Sequence, residues 1–239
     1  MRSSASDSHL TPAWKRALDL TVVIVTLPLW APAMVVLALW IKLVSPGPVI
    51  YRQERVGRDG RSFMLFKFRS MRVNAEASSH ISHVIELIRS NAPMIKLDHH
   101  GDSRLIPLGR AIRACGLDEL PQIINILRDE MSLVGPRPCT PYEFAHYLPS
   151  QLGRVRVAPG LTGYWQVSGK NRTTFSEMIE MDLFYTRNLS LRLDLQILGR
   201  TLPVILGESL RKSARPGVAN DRSQRVVRRS RAVVSSTGA

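Results

Sequence analysis

A chain of 239 residues, 44% hydrophobic and 22% charged, has room for one ordinary folded domain with appendages and is too apolar to be disordered throughout. Its formal charge of +14 and pI near 10.8 favour an anionic partner, yet +7 of that charge sits between Arg211 and Ala239, where eight basic residues face one acid, Asp221. The +7 left on Met1–Leu210 argues against nucleic acid as the partner, and two cysteines without a CxxC pair argue against a disulfide scaffold or a structural zinc site.

In chain order, the first strong signal is the apolar stretch Ala17–Val44, whose only charges are Asp19 and Lys42. It is too long for a signal-peptide core and long enough to cross a bilayer core of roughly 30 Å. Pro28 and Pro32 fall at its middle, and each removes a backbone donor and crowds the preceding turn. A kinked single-pass helix, two half-length helices that dip into one leaflet and return, and a buried core helix all fit the pattern. Lys15 and Arg16 precede the stretch and Lys42, Arg52 and Arg55 follow it, so basic residues flank both ends and the positive-inside rule gives no polarity. That symmetry suits a re-entrant element.

Ser45-Pro46-Gly47-Pro48 ends the stretch sharply. Two β-prone runs, VIYRQERV and RSFMLFKFRSM, then flank Gly57-Arg58-Asp59-Gly60 and predict a hairpin, with Lys67 and Arg69 on one face and Phe66 and Phe68 on the other. A weak helical period runs over Asn74–Asp98, and a short basic segment over Gly101–Gly116. A helix is expected at Leu117–Leu127, Gly- and Pro-rich loops at Gly135–Pro141 and Pro159–Lys170, and one or two helices over Ser176–Leu206. The polar tail Arg211–Ala239 reads as disordered. The fold class expected is mainly α with a small β-hairpin.

Four groups could carry chemistry. Asp118 and Glu119 open the predicted helix. Acids there are commonly caps, but neighbours about 100° apart on a helix could also do separate jobs, one attacking and one holding a cation. Arg137 lies between two prolines on a stiff backbone, and its guanidinium fork matches phosphate oxygens, although a plain turn would look the same. Lys67, Arg69 and Arg113 form a basic set that could equally be a solvated face. The loop Pro159–Asn171, with Gly163, Trp165, Gln166, Lys170 and Asn171, is neither a Walker A loop nor a Rossmann fingerprint. His99 and His100 are adjacent and read as surface residues. Together the groups suggest phosphate chemistry at a membrane face, where positioning and charge stabilisation do most of the catalysis.

Several separate stretches in one order carry a resemblance: KRALDL with the apolar segment, SPGPVIYRQERVGRDG, FKFRSM, LGRAIRACGLDELPQIINILRDEMSLVGPRP, VAPGLTGYWQVSGKN and FYTRNLSLRLDLQIL. The chain resembles the bacterial sugar transferases, the monotopic phosphoglycosyl transferases that act on polyprenyl (undecaprenyl) phosphate. The resemblance covers roughly Lys15–Leu206 and is with the compact form, without the extra transmembrane helices of larger members. It implies an N-terminal tail at 1–14, a re-entrant membrane helix at 15–44 bent at Ala31-Pro32, a cytoplasmic transferase domain at 45–210 and a basic tail at 211–239. Asp118 would attack the sugar-bearing phosphate of a UDP-sugar, UMP would leave, and polyprenyl phosphate would take the sugar phosphate from the aspartyl intermediate. Glu119 would help bind Mg²⁺, and Lys67, Arg113 and Arg137 match basic family positions near the phosphates. Implied partners are the lipids of the cytoplasmic membrane and downstream glycosyltransferases of an exopolysaccharide or other glycoconjugate route, and a homodimer is compatible. The sequence departs from the common family pattern at Ala31 before the proline, at Cys115-Gly116 before Leu117, and in the four residues separating Pro138 from Glu143.

Two other classes compete. A membrane-tethered basic adaptor binding anionic lipid or nucleic acid would show no turnover and would depend on the tail and on salt. A membrane phosphatase or pyrophosphatase using the same acids would release free sugar phosphate instead of lipid-linked sugar.

Overall fold

The computed structural model describes residues 11–72, 85–86, 90, 92–93, 104–169 and 172–213. Most of the helix expected at Asn74–Asp98, the histidine pair, Lys170, Asn171 and nearly all of the basic tail lie outside the described residues.

Helix α1 (Ala13–Val25) buries Lys15, Asp19 and Val23, three residues at four-residue spacing on one face. Helix α2 (Leu27–Val44) follows after a single break at Thr26. Pro28 sits in the first turn of α2, where its missing N–H costs little, so the chain stops one helix and starts another there. The break supplies its own hydrogen bonds. Thr26 Oγ1 donates to the Val22 carbonyl at 2.6 Å, and the Trp30 indole donates to the Val23 carbonyl at 2.9 Å. The helix interruption thus falls at Thr26, while α2 runs on through Pro32, the residue the resemblance assigned to the bend.

The two helices differ in what they touch. Along α1 the buried face runs from the charged Lys15 and Asp19 to the apolar Val23 and is keyed into the domain. Along α2 only Ile41 is buried, and Leu29 (75% exposed) and Leu43 (83%) stand clear of the protein. Among the described residues α2 is the one helix long and apolar enough to cross a membrane, and its exposure rules out a core helix. Its C-terminal half returns to the domain, where Ile41 packs with Phe68 and Ile106.

Strands β1 (Ile50–Val56) and β2 (Ser62–Phe68) form the expected antiparallel hairpin, in the register Ile50↔Phe68 to Val56↔Ser62. Its turn places Asp59 and Gly60 at φ 55° and 74°, which Asp and Gly tolerate. The helix expected at Leu117–Leu127 is two pieces. After α3 (Gly109–Ala114) and Gly116 at φ 70°, Leu117–Glu119 makes one 3₁₀ turn, and α4 spans Gln122–Leu127. Pro121 explains the split, because it has no N–H to give the Leu117 carbonyl and can only begin a helix.

A pairing not foreseen follows. Strands β3 (Ser132–Val134) and β4 (Gly160–Thr162) run parallel, so the sheet content is larger than one hairpin. Between them lie α5 (Pro141–Ala145) and a 3₁₀ segment at Pro149–Arg156. After them come α6 (Tyr164–Ser168), α7 (Phe175–Arg187) and α8 (Leu191–Ser213). The core joins Val23, Leu65, Ile123, Ile126, Met131, Leu133, Val134, Tyr185 and Ile197. At its centre Lys15 Nζ donates to the Val134 carbonyl (2.8 Å), Tyr185 Oη (3.0 Å) and Asp194 Oδ2 (2.5 Å). Asp19 Oδ1 accepts from Ser132 Oγ and the Leu133 N–H. The first helix is therefore part of the domain core.

Candidate active site

The 3₁₀ turn holds the two acids in different settings. Asp118 is 9% exposed, whereas Glu119 is half-exposed and its Oε1 accepts from Lys67 Nζ at 3.0 Å. Lys67 comes from β2, and Arg113, half-buried in the last turn of α3, comes from a helix that packs on the same 3₁₀ turn. A strand distant in sequence thus brings Lys67 onto Glu119, while the helix that carries Arg113 directly precedes the turn and packs on it.

Asn125, which the sequence reading passed over, holds this arrangement in register. It is fully buried, its Oδ1 accepts the Phe66 N–H at 3.2 Å, and its Nδ2 donates to the Met64 carbonyl at 2.7 Å and to Glu130 at 2.6 Å. The helix that follows the acids is stitched to the strand that carries Lys67. An amide in the otherwise apolar run Ile123-Ile124-Asn125-Ile126-Leu127 was the available signal.

Arg69 is placed differently from Lys67. Its guanidinium donates to the Ser45 and Pro46 carbonyls, both at 2.7 Å, and the side chain is buried. It ties the loop that leaves α2 to the end of β2. The alternating faces expected for β2 hold only in part, since Leu65 and Phe68 are the buried residues of the strand.

The two Gly-rich loops are one structure. Gly135 donates to the Thr162 carbonyl and Gly160 to the Pro136 carbonyl, both at 2.9 Å. A Cβ on Gly163 would lie 2.2 Å from the Gly135 carbonyl oxygen, so only glycine allows this approach. Gln166 donates to the Leu161 carbonyl at 3.3 Å, and its buried Oε1 has no hydrogen-bond partner among the described residues. Trp165 is a core residue, packed with Phe175, Met178 and Ile179, with its indole donating to Thr173 Oγ1.

Arg137 stands on this loop pair, 21% exposed, with NH1 donating to Glu143 Oε1 at 2.8 Å. Burial alone would raise the Glu143 carboxyl, but the Arg137 and Arg55 guanidinium groups overcome it and hold it at about 2. Burial and the neighbouring Arg137 charge in turn bring Arg55 down to about 10. Behind them Arg154 bonds the Arg137 carbonyl (2.9 Å) and pairs with buried Asp182. Cys139, buried beside them, has its thiol pushed up by burial, which makes it a poor nucleophile. The pattern Thr140-x-x-Glu143 is a capping box and gave the one sequence hint of the Glu143 role.

The acid pair suits a hard cation. Mg²⁺ is commonly held by one or two carboxylates, with water and substrate phosphates completing the shell, and half-exposed Glu119 offers an oxygen of that kind. Among the described residues no cluster of three metal-ligating side chains occurs.

Comparison with known proteins places these features in a lineage. The chain is 40% identical over 200 residues to the galactosyl transferase CpsE of Streptococcus agalactiae, covering 83% of this chain and 43% of that protein. It is 37% identical over 200 residues to the UDP-glucose:undecaprenyl-phosphate glucose-1-phosphate transferase of Caulobacter vibrioides (80% and 69%). It is 35% identical over 198 residues to the exopolysaccharide production protein ExoY of Rhizobium meliloti (80% and 84%). The chain spans about two fifths of the length of several of the curated relatives it matches. The profile of the bacterial sugar transferase family matches residues 10–208, which takes in helices α1 and α2, the acid pair and both Gly-rich loops, and the chain belongs to that family.

Proposed function

We propose that this chain transfers a sugar 1-phosphate from a UDP-sugar to polyprenyl phosphate at the cytoplasmic face of the inner membrane. The observation that carries the reading is the setting of Asp118. It is a largely buried carboxylate beside the Lys67–Glu119 pair, on a domain that also presents an apolar helix to lipid. The relatives' names supply the reaction class, since they include transferases for undecaprenyl-phosphate galactose and glucose. They do not favour the non-catalytic adaptor.

In this mechanism an Asp118 oxygen attacks the sugar-bearing phosphorus, the bond between the two phosphates breaks, and UMP leaves. A phosphate oxygen of the lipid then attacks the same phosphorus, and the aspartyl bond breaks to free Asp118 and give polyprenyl diphosphate sugar. A carboxylate is already ionised near neutral pH, so the first step needs no separate base. In this reading Lys67 and Arg113 receive phosphate charge, and Arg137, on a loop stiffened from behind by Arg154 and Glu143, would add a guanidinium. Mg²⁺ held with the help of Glu119 would neutralise phosphate charge.

Re-entry into one leaflet accounts for the membrane geometry. Lys15 at the start of α1 and Ile41 near the end of α2 are both buried in the same domain, which suits a segment that returns to the side it left. The test is Asp118→Asn in membranes supplied with polyprenyl phosphate and a panel of UDP-sugars. UMP release should fall to background while the protein stays folded and membrane-bound. Wild-type turnover in that variant would remove Asp118 as the nucleophile.

A further inference from the structure

Leu108 occupies a backbone region that leucine seldom adopts. It sits at φ 59° and ψ 0°, where its Cβ crowds the backbone, and its side chain is 61% exposed. In water such a residue would combine strain with poor solvation.

The surrounding turn shows how the strain is imposed. The Ile106 N–H donates to the Ser70 carbonyl at 3.1 Å, and the Gly109 N–H donates to the Ile106 carbonyl at 2.8 Å. Gly109 is pressed so close to the Ser70 carbonyl that a Cβ there would come within 2.6 Å. Ile106 is buried against Ile41 of α2 and Phe68 of β2. The turn is clamped on both sides, and Leu108 is the residue held out.

What lies beside it is the apolar helix. The Trp40 indole N–H faces the Pro107 carbonyl at 3.5 Å, and Trp40 and Leu43 continue the exposed apolar surface of α2 up to this turn. On the other side α3 begins at Gly109. Its six residues rise about 9 Å to the turn that carries Asp118, with Arg113 on the way. Leu108 therefore stands where the lipid-facing surface ends and the path to the acid pair begins.

We propose that Leu108 and Trp40 form an apolar lip on which the isoprenoid chain of polyprenyl phosphate rests while its phosphate reaches Asp118. The inference rests on the transferase reading and assigns the carrier lipid a place within it. The lip is continuous with a surface already exposed to hydrocarbon, and the substrate must keep its tail there while its head leaves for the acid pair. Strain fixed at one exposed residue is understandable where that residue meets a ligand.

Leu108→Asn separates side chain from backbone, because asparagine tolerates the left-handed region and is polar. With the full chain in phosphatidylethanolamine–phosphatidylglycerol nanodiscs, Leu108→Asn should raise KM for polyprenyl phosphate about tenfold. KM for the UDP-sugar and kcat at saturating carrier should stay as in wild type, and Leu108→Phe should restore the carrier KM. A photoreactive benzophenone side chain in place of Leu108 should capture polyprenyl phosphate in preference to the phospholipids. An unchanged carrier KM in Leu108→Asn, or capture of phospholipid alone, would overturn the assignment. Absence of UMP release from wild type would instead count against the transferase reading, and the crosslink would still decide whether the lip holds the carrier.

Discussion

Glu143 closes the cap of α5 with one oxygen and holds Arg137 with the other, and it lies within 3.9 Å of Arg55. Its folded value of about 2 is below its ordinary 4.5, so the stabilisation it provides is present above about pH 4.5 and is lost as pH falls toward 2. A buried carboxylate shifted that far contributes on the order of 3 kcal/mol at neutral pH. Glu143→Gln should lower stability by an amount of that order at pH 7 and flatten the decline between pH 4.5 and 2. Denaturant melts of both proteins across that range would check it. A parallel acid limb in the variant would assign the stabilisation to another group. Removing the charge also leaves Arg55 and Arg137 facing each other uncompensated, so transfer activity should fall along with stability.

At the level of elements, the β3–β4 pairing decides where Arg137 stands, and Gly163 decides whether the pairing closes. Gly163→Ala would put a methyl 2.2 Å from the Gly135 carbonyl oxygen, which neither strand can absorb without moving. A cost of about 1–3 kcal/mol is expected, with a larger loss of transfer rate than of stability because the displaced loop carries Arg137. Comparing melting temperature with UMP release separates the two effects. The hairpin was legible because Gly57-Arg58-Asp59-Gly60 is local turn chemistry. The parallel pair was not, since Ser132–Val134 and Gly160–Thr162 are three residues each and meet only through the fold. The acid pair was readable as a motif, yet its partnership with Lys67 depends on Asn125, whose role appears only when β2 and α4 are side by side. The flanking basic residues serve the domain as well as the edges of the apolar stretch. Lys15 and Arg55 are buried in ion pairs, and Arg16 donates to the Ile126 and Leu127 carbonyls at the end of α4, so much of the apparent charge symmetry is internal.

For the whole molecule, net charge and catalytic charge are separate matters. About half of the +14 lies beyond Leu210, whereas the residues gathered around Asp118 come from β2, α3 and the 3₁₀ turn. Deleting Arg211–Ala239 should therefore leave kcat near wild type. It should weaken binding to anionic vesicles at low salt, by very roughly 1 kcal/mol for each basic residue that lies close to the surface. Vesicle flotation with and without anionic lipid, run alongside UMP release, measures both. Loss of turnover on deletion would show that the tail serves transfer as well as lipid binding.

The buried contact of Lys15 with Asp194, Tyr185 and the Val134 carbonyl also bears on how the protein can be handled. Cutting away the first helix to obtain a water-soluble enzyme would leave Asp194 without its counter-ion in the interior, and Asp19 would no longer accept from the backbone ahead of the Arg137 loop. The first helix shares one buried core with the rest of the domain, so a preparation that keeps it also keeps the exposed apolar helix α2 and should need detergent or a lipid disc from the outset. Grafting a foreign tether in place of residues 11–25 should yield aggregate.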